Sequence, residues 1–346
     1  MQEDLAILAA EAERLGFAGK SILITGATGL IGSLCVKAFL EHNRRYPTPI
    51  SVIALARDPD KAARVYRDEP EAIEAIPNVR FVFRDITELI PPALRCDYII
   101  HTASVTSSRL FVTRPVEVIE GIYQGTRQVL EYAREHAVEG LVYLSSMEVF
   151  GSVDTERRLR EDELGQIRLD AVRSCYPEAK RLAELLCHCY AEEYGVPVRV
   201  ARLAQTFGAG VGATENRVFA QFARSALRGE DIVLHTRGKS VGNYCYTRDT
   251  IRALFLLLTA GEKGAAYSVV NEETSRSIAE MAALVAEKFS NGRSRVVFDI
   301  PEDGRYGYAP DTKLRLSADK IRALGWQAEI DLEEMYRRML PDLEEK

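Results

Sequence analysis

Residues 21–32, SILITGATGLIG, place a short apolar run directly before a glycine-rich turn, and a helical pattern follows. Glycines in such a turn let the backbone bend tightly, approach a pyrophosphate and pack the helix close to the sheet. The N-terminus of the helix then supplies free N–H groups and a partial positive charge. The stretch therefore predicts a strand, a turn and a helix that together bind a dinucleotide.

Further apolar runs repeat this rhythm, at residues 51–55, 80–83, 98–101, 141–144 and 198–203. Helical patterns separate them, most clearly at 115–136 and 178–194. Near-continuous apolar strands that alternate with helices indicate a parallel sheet that is buried on both faces. We therefore predict an α/β fold built on a Rossmann-type, doubly wound parallel sheet.

After about residue 207 the alternation ends. Glycine-rich loops are predicted at 208–212 and 238–243, and a helix is predicted at 217–228. The predicted division of the chain is an N-terminal helical extension (1–17), a dinucleotide-binding Rossmann domain (18–206, with 247–270 returning to it) and a smaller C-terminal α/β substrate-binding cap (207–246 and 271–340). The extension is expected to pack on the surface, and an oligomer contact is the alternative.

Composition excludes several classes of partner. A net charge of −6 over 346 residues gives no reason to expect nucleic acid or an anionic membrane. No apolar run is long enough to span a bilayer, and residues 1–16 do not resemble a signal peptide, so we predict a cytoplasmic location. The six cysteines lack metal-ligand spacing, and we predict no metal site.

Tyr176 and Lys180 are spaced i, i+4, so both side chains share one face of a helix. A nearby ammonium stabilises a phenolate and lowers the pKa of a tyrosine, which makes Tyr176 the predicted general base. Ser146 ends the fifth apolar run, at the sheet edge where ligands bind, and is predicted to hold the substrate oxygen. Together the three residues predict a site for hydride transfer with a nicotinamide cofactor.

The second apolar run bears on the choice of cofactor. NAD sites place a carboxylate at the end of this strand, whereas here Ala56 occupies that position and Arg57 follows. Arg57 could pair with a 2′-phosphate, which favours NADP, with NAD as the alternative. The residues predicted to contact the cofactor are Gly26, Thr28, Gly29, Leu30, Ile31, Gly32, Arg57, Asp85, Ile86, Thr102, Ala103, Ser104, Tyr176, Lys180 and Leu203.

These motifs resemble the extended short-chain dehydrogenase/reductases, in particular the nucleotide-sugar epimerases, dehydratases and decarboxylases. Residues 25–32 match the family's TGxxGxxG. Residues 144–151 resemble its SS-x-x-VYG segment, with Ser146 at the catalytic Ser/Thr position, and Tyr176 and Lys180 match its YxxxK. The resemblance covers almost the whole chain after residue 18.

Within that family, HTAS (101–104) and CYPEAKR (175–181) are most similar to the UDP-glucuronate decarboxylase group. The resemblance implies a tightly held NAD, transient oxidation of a sugar at C4, and a nucleotide-diphosphate sugar, most of all a UDP-sugar, as substrate. It also implies a homodimer formed through the helices at 115–136 and 178–194. Glu148 stands where these enzymes carry a glutamate beside the sugar. It is predicted to be a base or a water-positioning acid, and a solvated strand-end carboxylate is the alternative.

The chain also departs from the family pattern. Ile122 replaces a usual asparagine, Gln205 replaces an asparagine that contacts substrate, and Gly242 stands where relatives often carry an arginine. Met147 stands where 4,6-dehydratases carry an acid, which argues against dehydration. Cations that could replace the one missing at Gly242 include Arg217, Arg248 and Lys239. The predicted substrate-binding residues are Ser146, Met147, Gln205, Arg217 and Arg248.

The predicted function is that of an NAD(P)-dependent nucleotide-sugar enzyme that acts through transient C4 oxidation. Epimerisation or decarboxylation is favoured over 4,6-dehydration. One alternative is an NADPH-dependent reductase of a keto-sugar nucleotide, and another is a non-catalytic dinucleotide-binding scaffold.

Overall fold

Strands and helices alternate along most of the chain. The structure is a computed structural model that describes residues 1–153, 155–300 and 312–343. Its strands are β1 (Ser21–Thr25), β2 (Ser51–Ala56), β3 (Val79–Phe83), β4 (Tyr98–His101), β5 (Gly140–Ser146), β6 (Val198–Leu203), β7 (Gln205–Phe207), β8 (Ile232–Leu234), β9 (Val241–Tyr246), β10 (Ala266–Val269), β11 (Asn271–Ser277) and β12 (Val296–Phe298). Its helices are α1 (Gln2–Arg14), α2 (Leu30–Arg45), α3 (Pro59–Val65), α4 (Ser108–Thr113), α5 (Pro115–His136), α6 (Cys175–Tyr194), α7 (Val218–Arg228), α8 (Thr247–Thr259), α9 (Ile278–Phe289), α10 (Asp319–Arg322) and α11 (Leu332–Leu343).

The central sheet has seven strands in the order β10-β6-β5-β4-β1-β2-β3, and every neighbouring pair is parallel. This arrangement confirms the predicted doubly wound fold. The strand order reverses between β1 and β4, and such a switch point opens a crevice at the carboxyl ends of the strands. The glycine-rich turn after β1 lies at this crevice.

Both faces of the sheet are covered by helices. Ile22 and Ile24 belong to an apolar layer shared with α1, α2 and α8, whereas Leu23 belongs to the opposite layer, shared with α5 and α6. Successive strand residues point to opposite faces, so both sets must be apolar. This double burial is the reason that the strands read as continuous apolar runs.

A smaller α/β unit, here called the cap, has a separate apolar core. In it β7, β9 and β11 form a three-stranded sheet, β8 pairs with β12, and helices α7, α9 and α11 pack against them. The ring of Phe207 stacks on that of Phe219, with centroids 4.3 Å apart. The predicted domain boundaries stay a prediction, and the 301–311 part of the predicted cap lies outside the described residues.

One predicted loop differs from the structure. The segment 238–243 was predicted as a loop, but β9 begins at Val241. Val241 and Gly242 lie opposite Ser277 and Arg276 of β11, and the Asn243 side chain accepts a hydrogen bond from the Leu316 amide at 2.8 Å. Pairing between distant segments therefore overrides the local turn preference of glycine and asparagine.

The N-terminal helix α1 packs against α2 and α8 and buries Leu5 and Leu8. The buried Asp4 carboxylate accepts a hydrogen bond from the Tyr246 hydroxyl at 2.6 Å and one from Arg338 at 3.0 Å. The helix thus contacts both the Rossmann layer and the cap. Among the described residues, no helix combines the length and the apolar character needed to cross a bilayer.

Candidate active site

The glycine-rich turn after β1 is held against the end of β4. Gly26 has a φ of +69°, and a Cβ there would lie 2.7 Å from Thr102 Oγ1 and 2.8 Å from the Ala103 amide nitrogen. A Cβ at Gly32 would lie 2.3 Å from the Gly26 carbonyl oxygen. Gly29 is the N-cap of α2 and makes no side-chain capping bond, so the helix keeps N–H groups that can bind an anion. This cradle fits the pyrophosphate of a dinucleotide.

A buried hydrogen-bond network fixes the residues after β4. Thr102 Oγ1 donates to the Thr25 carbonyl at 2.7 Å, and the Ala103 amide donates to Thr25 Oγ1 at 3.1 Å. Thr25 Oγ1 also bonds His101 Nδ1 at 2.7 Å. Burial, aided by the charge of Lys180, lowers the pKa of His101 to about 3. The imidazole is therefore neutral, and the predicted residues Thr102 and Ala103 sit beside the turn.

The ends of β2 and β3 bring two further predicted residues together. Arg57 pairs with Asp85 at 3.6 Å and has a side chain that is 73% exposed. Asp85 Oδ1 also accepts hydrogen bonds from the Thr87 amide and hydroxyl, at 2.9 and 2.8 Å. Ile86 packs against Gly125 of α5, where a Cβ would lie only 2.9 Å from the Ile86 side chain.

The other predicted cofactor residues lie along the same edge. Thr28, Leu30 and Ile31 occupy the turn and the first turn of α2, and Ser104 lies three residues after the end of β4. Leu203 ends β6, opposite Ser146 at the end of β5.

Tyr176 and Lys180 lie in the first turns of α6, and both are buried. Lys180 Nζ donates to the Leu144 carbonyl at 2.7 Å. Its ammonium lies 4.7 Å from the ring centroid of Tyr143 and 5.9 Å from that of Tyr176. The predicted proton-transfer residues are therefore brought to the end of β5, next to Ser146.

The pKa of Tyr176 differs from the sequence-based expectation. Burial raises the pKa of Tyr176 to about 12, and the charge of Glu148 adds to this rise, while Ser146 and Arg173 act in the opposite direction. Lys180 was expected to lower the pKa of this phenol. In the structure its amino group bonds the Leu144 carbonyl oxygen and lies 5.9 Å from the ring centroid of Tyr176, and burial is the largest influence on the pKa of the phenol. Burial also lowers the pKa of Lys180 to about 7.

Glu148 is paired with an arginine, and its predicted role as a base or water-positioning acid, with a solvated carboxylate as the alternative, stays a prediction. Its two oxygens accept hydrogen bonds from the guanidinium of Arg173, at 2.8 and 2.9 Å. A 3-10 helix at Met147–Phe150 carries the glutamate and another at Val172–Ser174 carries the arginine. Sequence reasoning missed Arg173. Its only local signal is its position three residues before Tyr176.

The same arginine belongs to a stack of side chains. Its guanidinium carbon lies 4.8 Å from the ring centroid of Phe111, and the Phe111 ring stacks on that of Tyr176 at 4.3 Å with an interplanar angle of 14°. Cys175 Sγ donates to the Phe111 carbonyl oxygen at 3.2 Å, which ties α4 to the start of α6. No local signal pointed to Phe111.

Three predicted substrate residues lie on or beside elements that border this edge. Gln205 begins β7, and Met147 is half-buried against the core next to Ser146. Arg217 pairs with Glu215 at 2.8 Å, and its charge acts to lower the pKa of Tyr176, although burial of the phenol outweighs this effect. Of the three, Arg217 is the residue whose charge reaches the catalytic tyrosine.

Arg248 is placed differently, and its role in substrate binding stays a prediction. Its guanidinium is buried and contacts Asp249 at 3.0 Å and Glu329 at 2.8 Å, with Asp4 of α1 at 3.7 Å. A guanidinium that is neutralised by surrounding carboxylates has a structural role at the junction of α1, α8 and the cap.

Gly242 leaves room for a side chain, because a Cβ there would meet no atom within 4 Å. Arg276 of β11 lies directly opposite Gly242 in the antiparallel register. Directly opposed residues point to the same face of the sheet, so Arg276 presents a cation on the face where Gly242 lacks one. Sequence reasoning missed Arg276 because strand register is not visible in the local pattern.

Comparison with known proteins gives the same fold. The chain is 27% identical over 325 residues to UDP-glucuronic acid decarboxylase 5 of Arabidopsis thaliana, covering 94% of this chain and 88% of that protein. UDP-glucose 4-epimerase of Thermotoga maritima, solved with UDP-glucose, is 22% identical with a TM-score of 0.75, over 93% of this chain and 98% of that one. UDP-glucose 4-epimerase of Thermus thermophilus, solved with NAD, is 23% identical with a TM-score of 0.73, over 93% and 98%. The model of the NAD dependent epimerase/dehydratase family matches residues 22–271, more than half of the chain, and the chain is therefore an enzyme that belongs to this family.

Proposed function

We propose that the protein converts a nucleotide-diphosphate sugar, with a UDP-sugar favoured, by transient oxidation at C4 followed by epimerisation or decarboxylation. The observation that carries this proposal is the convergence of Ser146, Tyr176 and Lys180 beside the glycine cradle. Family membership and relatives named as UDP-glucuronic acid decarboxylases and UDP-glucose 4-epimerases support the substrate class.

Each residue has a distinct proposed part in this chemistry. The nicotinamide, when bound, supplies the hydride acceptor and later the hydride donor. Tyr176 acts as its phenolate, which accepts the proton of the sugar hydroxyl, and the phenol so formed returns that proton, while the Ser146 hydroxyl orients the same oxygen. Lys180, held by the Leu144 carbonyl, places its amino group 5.9 Å from the ring centroid of Tyr176 and, when protonated, supplies a positive charge there. The glycine cradle and the N-terminus of α2 bind the dinucleotide phosphates.

Two side chains bear on which reaction follows oxidation of the sugar. Dehydration needs an acid to expel water, and Met147 is a thioether that packs against the core. Glu148 is engaged by Arg173 and so is not a free acid in its place. Both observations favour epimerisation or decarboxylation.

The direct test is to incubate the purified protein with UDP-glucuronate, UDP-glucose, UDP-N-acetylglucosamine and dTDP-glucose, with and without added NAD. We expect conversion of at least one UDP-sugar without net change in NADH absorbance. Tyr176→Phe is expected to lose turnover while NAD binding is kept. Net consumption of NADPH on a keto-sugar would support the reductase instead, and binding without any conversion would support the scaffold.

The preference between NAD and NADP depends on Arg57. Its exposed guanidinium follows β2, where no carboxylate occupies the position of Ala56, and we propose that it tolerates or binds a 2′-phosphate. We expect Arg57→Asp to lower affinity for NADP relative to NAD by about tenfold, as measured by calorimetry with both dinucleotides. An unchanged ratio would show that Arg57 serves only its ion pair with Asp85.

We further propose that the protein works as a homodimer in the cytoplasm. Exposed apolar side chains on the outer faces of α5 and α6 support the first part, since these helices cover one face of the sheet and leave such residues uncovered. The location rests on the sequence alone.

A further inference from the structure

The Glu148–Arg173 pair stands beside the proposed general base, and the mechanism above gives it no part. The contact is bidentate: both guanidinium NH groups of Arg173 donate to the Glu148 carboxylate, at distances below 3 Å. The pair is not deeply buried, because the Arg173 and Glu148 side chains are 43% and 32% exposed. Because the pair is well formed but accessible, either residue can be substituted without leaving a cavity in the hydrophobic core.

Two separate contacts connect this pair to the proposed catalytic residues Tyr176 and Ser146. Arg173 lies over one face of the Phe111 ring at 4.8 Å, and Phe111 stacks on Tyr176 at 4.3 Å. On the other side, the Glu148 amide donates to Ser146 Oγ at 3.2 Å, so the glutamate backbone is fixed to the second catalytic side chain. A guanidinium over an aromatic face and two offset rings are both favourable arrangements.

The charges that act on Tyr176 come from several elements. These elements are β5, the two 3-10 helices, α6 and the segment before α7. Their ionisable groups around Tyr176 are Tyr143, Glu148, Arg173, Cys175, Lys180 and Arg217. Glu148 is the acid whose charge opposes ionisation of the phenol most directly, and Arg173 is the cation in contact with that acid.

We propose that Arg173 is a positioning residue that closes Glu148 into an ion pair and, through the Phe111 ring, holds the Tyr176 phenol in place at the site. The Glu148 carboxylate then serves as the partner of Arg173 and is not the base of the reaction. The proposal rests on the proposed function only in taking Tyr176 as the proton-transfer group.

The experiment measures the ionisation of the Tyr176 phenol instead of turnover, so it does not depend on the substrate. Trifluorotyrosine replaces Tyr176 in the full chain, and the absorbance of its phenolate is followed against pH. Arg173→Met is expected to raise the midpoint by about one pH unit, because Glu148 is left without its cation. Arg173→Lys, which keeps the charge, should have a midpoint close to that of the parent protein.

The double variant Arg173→Met with Glu148→Gln separates charge from packing. Removing both charges should return the midpoint close to that of the parent protein, and Glu148→Gln alone should lower it. This single variant leaves Arg173 on the Phe111 ring and so provides a test even where Arg173→Met folds poorly. Arg168→Met breaks an exposed bidentate pair with Asp170 nearby in the chain and should leave the midpoint unchanged.

The proposal is overturned when Arg173→Met leaves the midpoint unchanged, or when Arg173→Met and the double variant shift the midpoint equally. It is also overturned when Glu148→Gln does not lower the midpoint. A protein that shows all the expected shifts but converts no UDP-sugar would refute the proposed function and leave the role of Arg173 standing.

Discussion

At the level of single residues, His101 is a buried base that stays neutral in the native protein. It lies between Thr25, at 2.7 Å from Nδ1, and Thr126, at 3.4 Å from Nε2. Burial and the nearby Lys180 lower its pKa to about 3, whereas a histidine in the unfolded chain takes up a proton near pH 6.5. Between these two values the unfolded state binds one more proton than the native state.

Stability should therefore fall as the pH is lowered from about 6.5 towards 3, by up to about 1.4 kcal/mol per pH unit from this residue. We expect His101→Gln to flatten this part of the dependence, because an amide does not titrate. Urea unfolding at pH 7 and pH 5.5 measures the effect, with the exposed His188→Gln as control. An equal loss of stability on acidification in the variant and the parent would contradict the assignment.

Gly32 is a second residue whose role is set by its immediate surroundings. Its Cβ would lie 2.3 Å from the Gly26 carbonyl oxygen, so Gly32→Ala must push the helix away from the turn. We expect a loss of about 1–3 kcal/mol in stability and a large loss of NAD affinity, measured by urea unfolding and calorimetry. Gly121→Ala on α5 meets no atom within 4 Å and should instead stabilise slightly. Normal NAD binding by Gly32→Ala would refute the cradle.

At the level of elements, the pairing of β9 with β11 places Arg276 opposite Gly242. If this cation serves the phosphates of the substrate, Arg276→Ala should weaken UDP binding about tenfold, or 1.4 kcal/mol. Calorimetry with UDP measures the change, and Arg80→Ala, on the far edge strand β3, is the matched control.

The reverse substitution sharpens this prediction. Because the space at Gly242 is open, Gly242→Arg in the Arg276→Ala background should restore UDP affinity by supplying a cation on the same face. Equal UDP affinity in the parent, the Arg276→Ala protein and the double variant would show that neither position contacts the nucleotide.

At the level of the whole molecule, helices α5 and α6 expose Val116, Ile119, Leu182 and Leu185 at 64%, 41%, 44% and 59% of their surface. We expect these side chains to be buried in the proposed homodimer, since apolar burial is the main driving force of association. Leu185→Glu should convert a dimer to a monomer in light scattering at micromolar concentration. The equally exposed Leu89→Glu, in the segment between β3 and β4, should not. A monomeric mass for the parent protein would contradict the dimer.

Much of the fold could be predicted because its signals are local. The strand-like runs, the helices at 115–136 and 178–194 and the glycine turn are each specified by residues adjacent in the chain. The same holds for Tyr176 and Lys180, which share a helix face through their spacing. Segment 238–243 was missed because its strand depends on a partner strand more than thirty residues later.

The sequence by itself therefore determined the doubly wound sheet, the dinucleotide cradle and the family of the enzyme. Only the tertiary structure decided the partner of Glu148, the stack of Arg173 and Phe111 on Tyr176, the burial of Arg248 and the place of Arg276. The physical reason is that periodicity and turn chemistry act between neighbours in the chain. Ion pairs, stacking and burial act between neighbours in space, and they shift the pKa of each group only once the chain has folded.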